Sequence, residues 1–190
     1  DGVATHVRDL DSLRLAAVIR DMNEGRLAAG EQLRTPTAFR IAGAANPLVD
    51  TAERLEAKIA AGVSLFQTNI VYDVPRFAAW LEPLVAAGIT ERAPFLIGVT
   101  PPRSTRMLQH MHDNIPGVEV DDATFRRMAG RDGASAKAEG IEIAADLVAR
   151  LREIPGAAGV HLMAPGWETE AVPAVVERAG LGGRTSAQQV

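Results

Sequence analysis

The sequence of 190 residues contains no cysteine and no apolar run near the roughly 18 residues that a membrane-spanning helix requires. The first absence excludes disulfide bonds, thiolate nucleophiles and cysteine-ligated metal, and it leaves the redox compartment open. No pattern of a secretory signal peptide is present. We therefore expect a cytoplasmic enzyme or binding protein that has no membrane partner.

Basic charge is also scarce. The formal net charge is −4 and the isoelectric point is about 5.6, so neither nucleic acid nor an anionic membrane is expected as a partner. Only two lysines occur, Lys58 and Lys137, and every other basic side chain except histidine is an arginine. The content of 47% hydrophobic and 23% charged residues is that of a globular protein. We expect residues 1–190 to form one domain, with 182–190 as a flexible tail.

Four short apolar runs alternate with helical segments along the chain. Each run is continuous, which is typical of strands covered on both faces and predicts a parallel sheet with right-handed crossovers. Asp11 and Asp121 are predicted N-caps. The strands are predicted at 39–46, 63–69, 94–99 and 158–164. The helices are predicted at 13–25, 50–62, 74–88, 101–114, 121–130, 135–154 and 169–181.

Two architectures fit this α/β pattern, an open doubly wound sheet and part of a (βα)₈ barrel. No G-x-G-x-x-G follows any strand and no P-loop occurs, which removes the dinucleotide fingerprint of the open fold. Polar side chains instead follow the strands, where a barrel places its active site. They are Asn46, Thr68, Asn69, Thr100 and His161. We therefore predict a TIM-barrel type fold of which this chain covers roughly the last four βα units.

Several of the candidate residues also have an interpretation that involves no ligand. Asn69 fits a strand-end cap, and Lys58 fits a solvated cation on a helix surface. His161 lies in an apolar strand, where a hydrogen-bonded core histidine is more common than a catalytic base. His110 and His112 are two residues apart and do not share a helix face, so no metal site is expected.

Seven segments carry most of the recognisable pattern of the chain. They are VRDLDSLRLAAVIRDMNEG, FRIAGAANP, LEAKIAAGVSLFQTNIVYDVPRF, FLIGVTPPRSTRM, NIPGVEV, AEGIEIAADLVARL and GVHLMAPGWETEAVPAVVERAGL. In order and spacing these segments resemble the methylenetetrahydrofolate reductase family. The short GAANPLVDTAERL connection is closer to the shorter reductases of acetogens and corrinoid-linked one-carbon pathways than to the long-loop enterobacterial type.

The resemblance implies a (βα)₈ barrel that reduces 5,10-methylenetetrahydrofolate to 5-methyltetrahydrofolate. Hydride would pass from NAD(P)H, with NADH as the expected donor, through FAD to the folate. It also implies that the first four strands, with the acidic residue linked to protonating the folate, precede Asp1 in family members. We expect that Asp1 is not the natural start or that a partner subunit supplies the other half. Oligomerisation is expected, because half a barrel leaves two open sheet edges.

The substrate residues implied by the resemblance lie at the end of the second strand. The family has glutamine after the threonine of this motif, and here the motif is Gln67-Thr68-Asn69. The family's glutamine hydrogen-bonds the pterin, a role that an amide suits because it both donates and accepts. Asn69→Ala is accordingly expected to weaken folate binding with little effect on folding, and Asn69→Gln to be tolerated.

The resemblance places three residues near a cofactor. Lys58 matches a lysine close to the flavin phosphates, Asn46 stands where long-loop members have a flavin-contacting tyrosine, and Asp11 lies near a ribose or adenine position. Asp50 occupies the position nearest to a flavin-contacting histidine of that type. Two alternatives remain open: a flavin-free, NADH-dependent version of the same reaction, and a non-catalytic folate-binding subunit.

Overall fold

The computed structural model describes residues 10–181, which contain four strands and eight helices; the predicted tail at 182–190 lies outside the described residues. The elements alternate as the apolar runs predict. In chain order they are α1 (Ser12–Asn23), β1 (Ile41–Ala45), α2 (Ala52–Ala60), β2 (Val63–Ile70), α3 (Val74–Ala86), α4 (Ile89–Arg92), β3 (Phe95–Val99), α5 (Thr105–Asn114), α6 (Asp122–Met128), α7 (Gly133–Arg152), β4 (Ala157–Leu162) and α8 (Glu168–Arg178).

The strands form one parallel sheet in the order β1-β2-β3-β4. In a doubly wound sheet the strand order reverses at a switch point, whereas consecutive units of a (βα)₈ barrel keep sequence order. No reversal occurs among the described strands. The predicted α/β class and the set of four consecutive βα units are therefore confirmed.

The two faces of the sheet differ in character. One face packs against the helices through large apolar side chains, among them Phe66 and Phe95, whose ring centroids are 4.9 Å apart. The opposite face, which we call the inner face, carries the register partners Ala44 and Gln67, and Ala44 is exposed. It corresponds to the interior of a barrel, so polar side chains on it remain accessible in the described part of the chain.

Side-chain caps set where several helices begin. The carboxylates of Asp11 and Asp121 accept hydrogen bonds from the backbone N–H groups of Arg14 and Thr124, which confirms both predicted caps. Ser104 caps α5 in the same way, so this helix begins after the Pro-Pro segment rather than at residue 101. Within residues 10–181, no helix is long and apolar enough to cross a membrane, and no cluster of His, Asp and Glu has metal-binding geometry.

Ionisation of the chain's single tyrosine, Tyr72, tests whether the core is packed as described. Its side chain is fully buried and its hydroxyl donates to the carbonyl of Thr100 at 2.7 Å. Burial raises the pKa of the Tyr72 phenol far above its ordinary value of about 10. Above pH ~10 the unfolded state loses this proton while the folded state keeps it, so stability falls as the pH rises.

We therefore expect tyrosinate absorbance to appear only together with unfolding in an alkaline titration. Tyr72→Phe should reduce the loss of stability above pH ~10, measured by urea denaturation at several pH values. Tyrosinate that forms while the far-ultraviolet circular dichroism stays native would contradict the buried placement of Tyr72.

Candidate functional site

A cleft of about 600 Å³ opens on the inner face at the carboxyl ends of β1, β2 and β4. Five of the six predicted binding residues line it. Asp11 does not; it caps α1, whose first residue, Ser12, lies at the rim. The predicted residues that line the cleft are Asn46, Lys58, Gln67, Thr68 and Asn69. The strand ends thus bring together side chains that are up to 23 positions apart in sequence.

Lys58 is buried, which corrects the interpretation of a solvated helix cation. Its side chain is 9% exposed, and its ammonium donates to the carbonyl of Ala44 at 2.7 Å and to Asp50 at 3.1 Å. A buried ammonium without a counter-charge would be strongly unfavourable, so the carboxylate of Asp50 is what permits lysine here. This ion pair ties the C-terminal turn of α2 to β1.

Asp50 organises the loop that follows β1. Its carboxylate accepts from the backbone N–H of Asn46 at 2.8 Å and contacts Arg54 at 3.1 Å, in addition to Lys58. Its own carbonyl accepts from the indole N–H of Trp80. Sequence reasoning gave Asp50 no role of its own. The i, i+4 spacing of Asp50 and Arg54 was the available signal, because such pairs stabilise the start of a helix.

These contacts determine which cations of the cleft could bind the diphosphate of a flavin. Lys58 and Arg54 are the cations among the residues lining the cleft, and both are paired with the carboxylate of Asp50. A diphosphate needs cations or N–H donors that are free to face it. The ammonium of Lys58 is already engaged within the protein, so this residue does not fit the flavin-phosphate role that the family resemblance assigns to it.

The side-chain amide of Asn69 is engaged within the protein. Its nitrogen donates to the carbonyl of Pro116 at 2.8 Å, and its oxygen accepts from the backbone N–H of Ile70 at 2.9 Å. The neighbouring Thr68 is buried; its hydroxyl donates to the carbonyl of Asn69 and accepts from the backbone N–H of Gly98. Both side chains hold the irregular end of β2 in place, where the register with β3 shifts.

Gln67 differs from its two neighbours. It is half-buried on the inner face, between its register partners Ala44 and Leu96. Among residues 10–181 its side-chain amide has no hydrogen-bond partner. Of the predicted Gln67-Thr68-Asn69 motif, Gln67 is therefore the member whose amide is free to bind a ligand.

The loop at 115–120 packs against Asn46 and Asn69, two residues that line the cleft. Besides accepting from Asn69, this loop presses Gly117 against the side chain of Asn46, whose oxygen accepts from the N–H of Leu48. A Cβ on Gly117 would lie 2.1 Å from the amide nitrogen of Asn46, and its φ of +87° also favours glycine. The sequence motif NIPGVEV contains this loop, but no local pattern indicates which strand ends it covers.

The histidines separate into two groups. His112 accepts from the backbone N–H of Val120, and His110 contacts Asn114, so both have neighbours on or near α5 and do not form a metal pair. His161 lines the cleft, is half-buried, and has no hydrogen-bond partner among the described residues. This corrects the interpretation of His161 as a hydrogen-bonded core histidine. Thr100, by contrast, is buried and does not line the cleft.

Comparisons with known proteins agree with this architecture. A solved structure described as "Uncharacterized protein from Clostridium thermocellum binds two copies of 5-methyl-5,6,7,8-tetrahydrofolic acid" superposes with a TM-score of 0.52 at 19% identity, a likeness that shows the fold alone. The match covers 74% of this chain and 52% of that protein, so the chain spans about half its length. No curated protein matches the sequence. The profile of the family described as methylenetetrahydrofolate reductase matches residues 41–180, and the chain belongs to this family.

Proposed function

We propose that the cleft binds a reduced folate and that the protein takes part in reducing 5,10-methylenetetrahydrofolate to 5-methyltetrahydrofolate. The observation that carries the proposal is the free amide of Gln67 on the inner face of a family member's barrel units. An amide matches the lactam edge of a pterin, since it donates and accepts at once. The binding of 5-methyltetrahydrofolic acid by the structural neighbour supports a folate as the ligand.

The reaction adds a hydride to the methylene carbon of the folate. The bond from this carbon to N10 breaks, N10 takes a proton, and the reduced nicotinamide becomes oxidised. The residues of this chain would bind and orient the pterin, because hydride transfer depends on close alignment of the two carbons. The carboxylate of Asp50 is engaged by Lys58 and Arg54, so we do not assign it the role of proton donor. We place the proton donor on the strands that complete the barrel.

The route of the hydride distinguishes two versions of this function. Bound FAD would relay the hydride between the nicotinamide and the folate. Direct transfer from NADH needs no flavin, but NADH carries a diphosphate of its own, so the pairing of Lys58 with Asp50 does not distinguish the two versions. Purified protein that shows no flavin absorbance and yet oxidises NADH with methylenetetrahydrofolate would support direct transfer. Activity that requires added FAD would support the flavin route, and folate binding without turnover by the intact, full-length protein would support a binding subunit.

Folate binding itself is tested by a matched pair of variants. Gln67→Ala should weaken the affinity for 5-methyltetrahydrofolate by about five- to tenfold, the value of one or two hydrogen bonds, and leave the melting temperature unchanged. Asn69→Ala removes hydrogen bonds to Pro116 and Ile70. Unlike Gln67→Ala, it should therefore lower the free energy of unfolding, by about 1–3 kcal/mol. Isothermal titration calorimetry and thermal melting measure the two effects.

The outcome separates the two amides. Loss of affinity in Asn69→Ala at unchanged stability, with Gln67→Ala unaffected, would return the pterin contact to Asn69. Unaltered protein that binds no folate would refute the proposed function.

A further inference from the structure

We propose that His161 is a second ligand-binding residue of this cleft, whose imidazole hydrogen-bonds the pterin from the side opposite Gln67. The inference rests on the proposed function, because it takes the ligand to be a folate. It adds a contact from β4 to a site whose other predicted residues come from β1, α2 and β2.

The register of the sheet places His161 on the inner face. Gln67 pairs with Leu96, Gly98 follows Leu96 by two positions and so shares its face, and Gly98 pairs with His161. His161 and Gln67 also line the same cleft. Their side chains therefore face one open space from strands that are separated only by β3.

Gly98 leaves the inner face beside His161 without a side chain from β3, whereas Leu96 stands beside Gln67. Two strand spacings separate β2 from β4, or about 10 Å between backbones. A Cβ on Gly98 would lie 2.8 Å from the carbonyl oxygen of Asn69 and 2.9 Å from that of Thr68, so this position excludes even alanine. Beside the imidazole of His161 the inner face thus presents backbone carbonyls, and the amide of Gln67 lies one inner-face position nearer the start of the strands.

The state of His161 also indicates a ligand. Its ring is half-buried, and neither nitrogen has a hydrogen-bond partner within residues 10–181, whereas the rings of His110 and His112 both contact neighbours. A neutral imidazole offers one donor and one acceptor. Amide, carbonyl and imidazole groups around one opening match a flat heterocycle with several donors and acceptors on its edge. Met163 lines the same cleft and offers a polarisable contact for the ring.

The test uses three substitutions of His161 and one control in the full chain, with 5-methyltetrahydrofolate as the probe in isothermal titration calorimetry. His161→Ala and His161→Phe should each weaken the affinity about five- to tenfold, since both lose the hydrogen bond and the second keeps a ring of similar size. His161→Asn keeps an N–H donor and should retain affinity within about threefold. His110→Ala, on the exposed side of α5, serves as the matched control and should change nothing.

Thermal melting decides between a ligand contact and a structural role. Because His161 makes no hydrogen bond to the protein in the described residues, the three variants should melt within about 2 °C of the unaltered chain. Unchanged affinity in His161→Phe, or a large fall in melting temperature in all three variants, would overturn this assignment. If Gln67→Ala weakens binding and the His161 variants do not, only the assignment of His161 fails. If the unaltered chain binds no folate, the proposed function fails and this inference fails with it.

Discussion

Asp50→Ala is expected to destabilise the protein by about 3–5 kcal/mol, because it leaves the buried ammonium of Lys58 without its counter-charge. The side chains of Asp50 and Lys58 are 5% and 9% exposed, and the remaining contact of the ammonium is the carbonyl of Ala44. A carbonyl carries only a partial charge, so it compensates little of the cost of burying a full one. The loss is a large fraction of the 5–15 kcal/mol that typically stabilises a domain.

Three further variants separate charge from hydrogen bonding in urea denaturation. Asp50→Asn keeps an acceptor for the N–H of Asn46 but loses the charge, so it should still cost most of the effect. The double replacement Asp50→Leu with Lys58→Met removes both charges and should recover stability toward that of the unaltered protein. Arg54→Ala is the control, since Arg54 is 62% exposed and should contribute less than about 1 kcal/mol. A loss below about 1 kcal/mol in Asp50→Ala would contradict the buried pair.

The same ion pair shows what local sequence pattern can and cannot predict. Continuous apolar runs and capping residues are local signals, and they placed the four strands and the caps at Asp11 and Asp121 correctly. The four-residue helix α4 was missed because Ile89–Arg92 is too short to show a period. The partner of Lys58 is eight positions away, in a loop whose path depends on the whole sheet edge.

The composition of the inner face could not be predicted from the sequence for a related reason. A continuous apolar strand does not show which residues point inward, because side chains of both faces are apolar or small. Gln67, Gly98 and His161 were placed together only by the register of three strands and by the shift between Gln67 and Ile70. The side-chain amide of Asn69 donates to the carbonyl of Pro116, 47 positions away, so a local sequence pattern could not predict this hydrogen bond either. The family resemblance pointed to the end of β2 as part of the binding site. The structure then showed which of its side chains are free to bind a ligand and which are engaged within the protein.

Gly140→Ala is expected to destabilise the protein by about 2–3 kcal/mol, although alanine is the better helix former. Gly140 lies in the buried stripe of α7, against the loop that follows β3. A Cβ at this position would lie 1.7 Å from the carbonyl oxygen of Pro102 and 2.8 Å from its carbonyl carbon, and both are backbone atoms that no rotamer change can move. Overpacking a core typically costs 1–3 kcal/mol and occasionally more; with backbone contacts this short we expect a cost of about 3–4 kcal/mol, of which helix propensity returns about 1.

The sign of the change is the decisive measurement, because propensity and packing predict opposite effects at Gly140. If helix propensity alone governed this position, Gly140→Ala would raise the free energy of unfolding by about 1 kcal/mol. The clash instead predicts a melting temperature lower by about 5–10 °C. Ala138→Gly, on the exposed face of the same helix, measures propensity alone and should cost about 0.5–1 kcal/mol. Since Pro102 follows Thr100, whose carbonyl accepts from Tyr72, a displaced loop should also make Tyr72 ionise at a lower pH than in the unaltered protein.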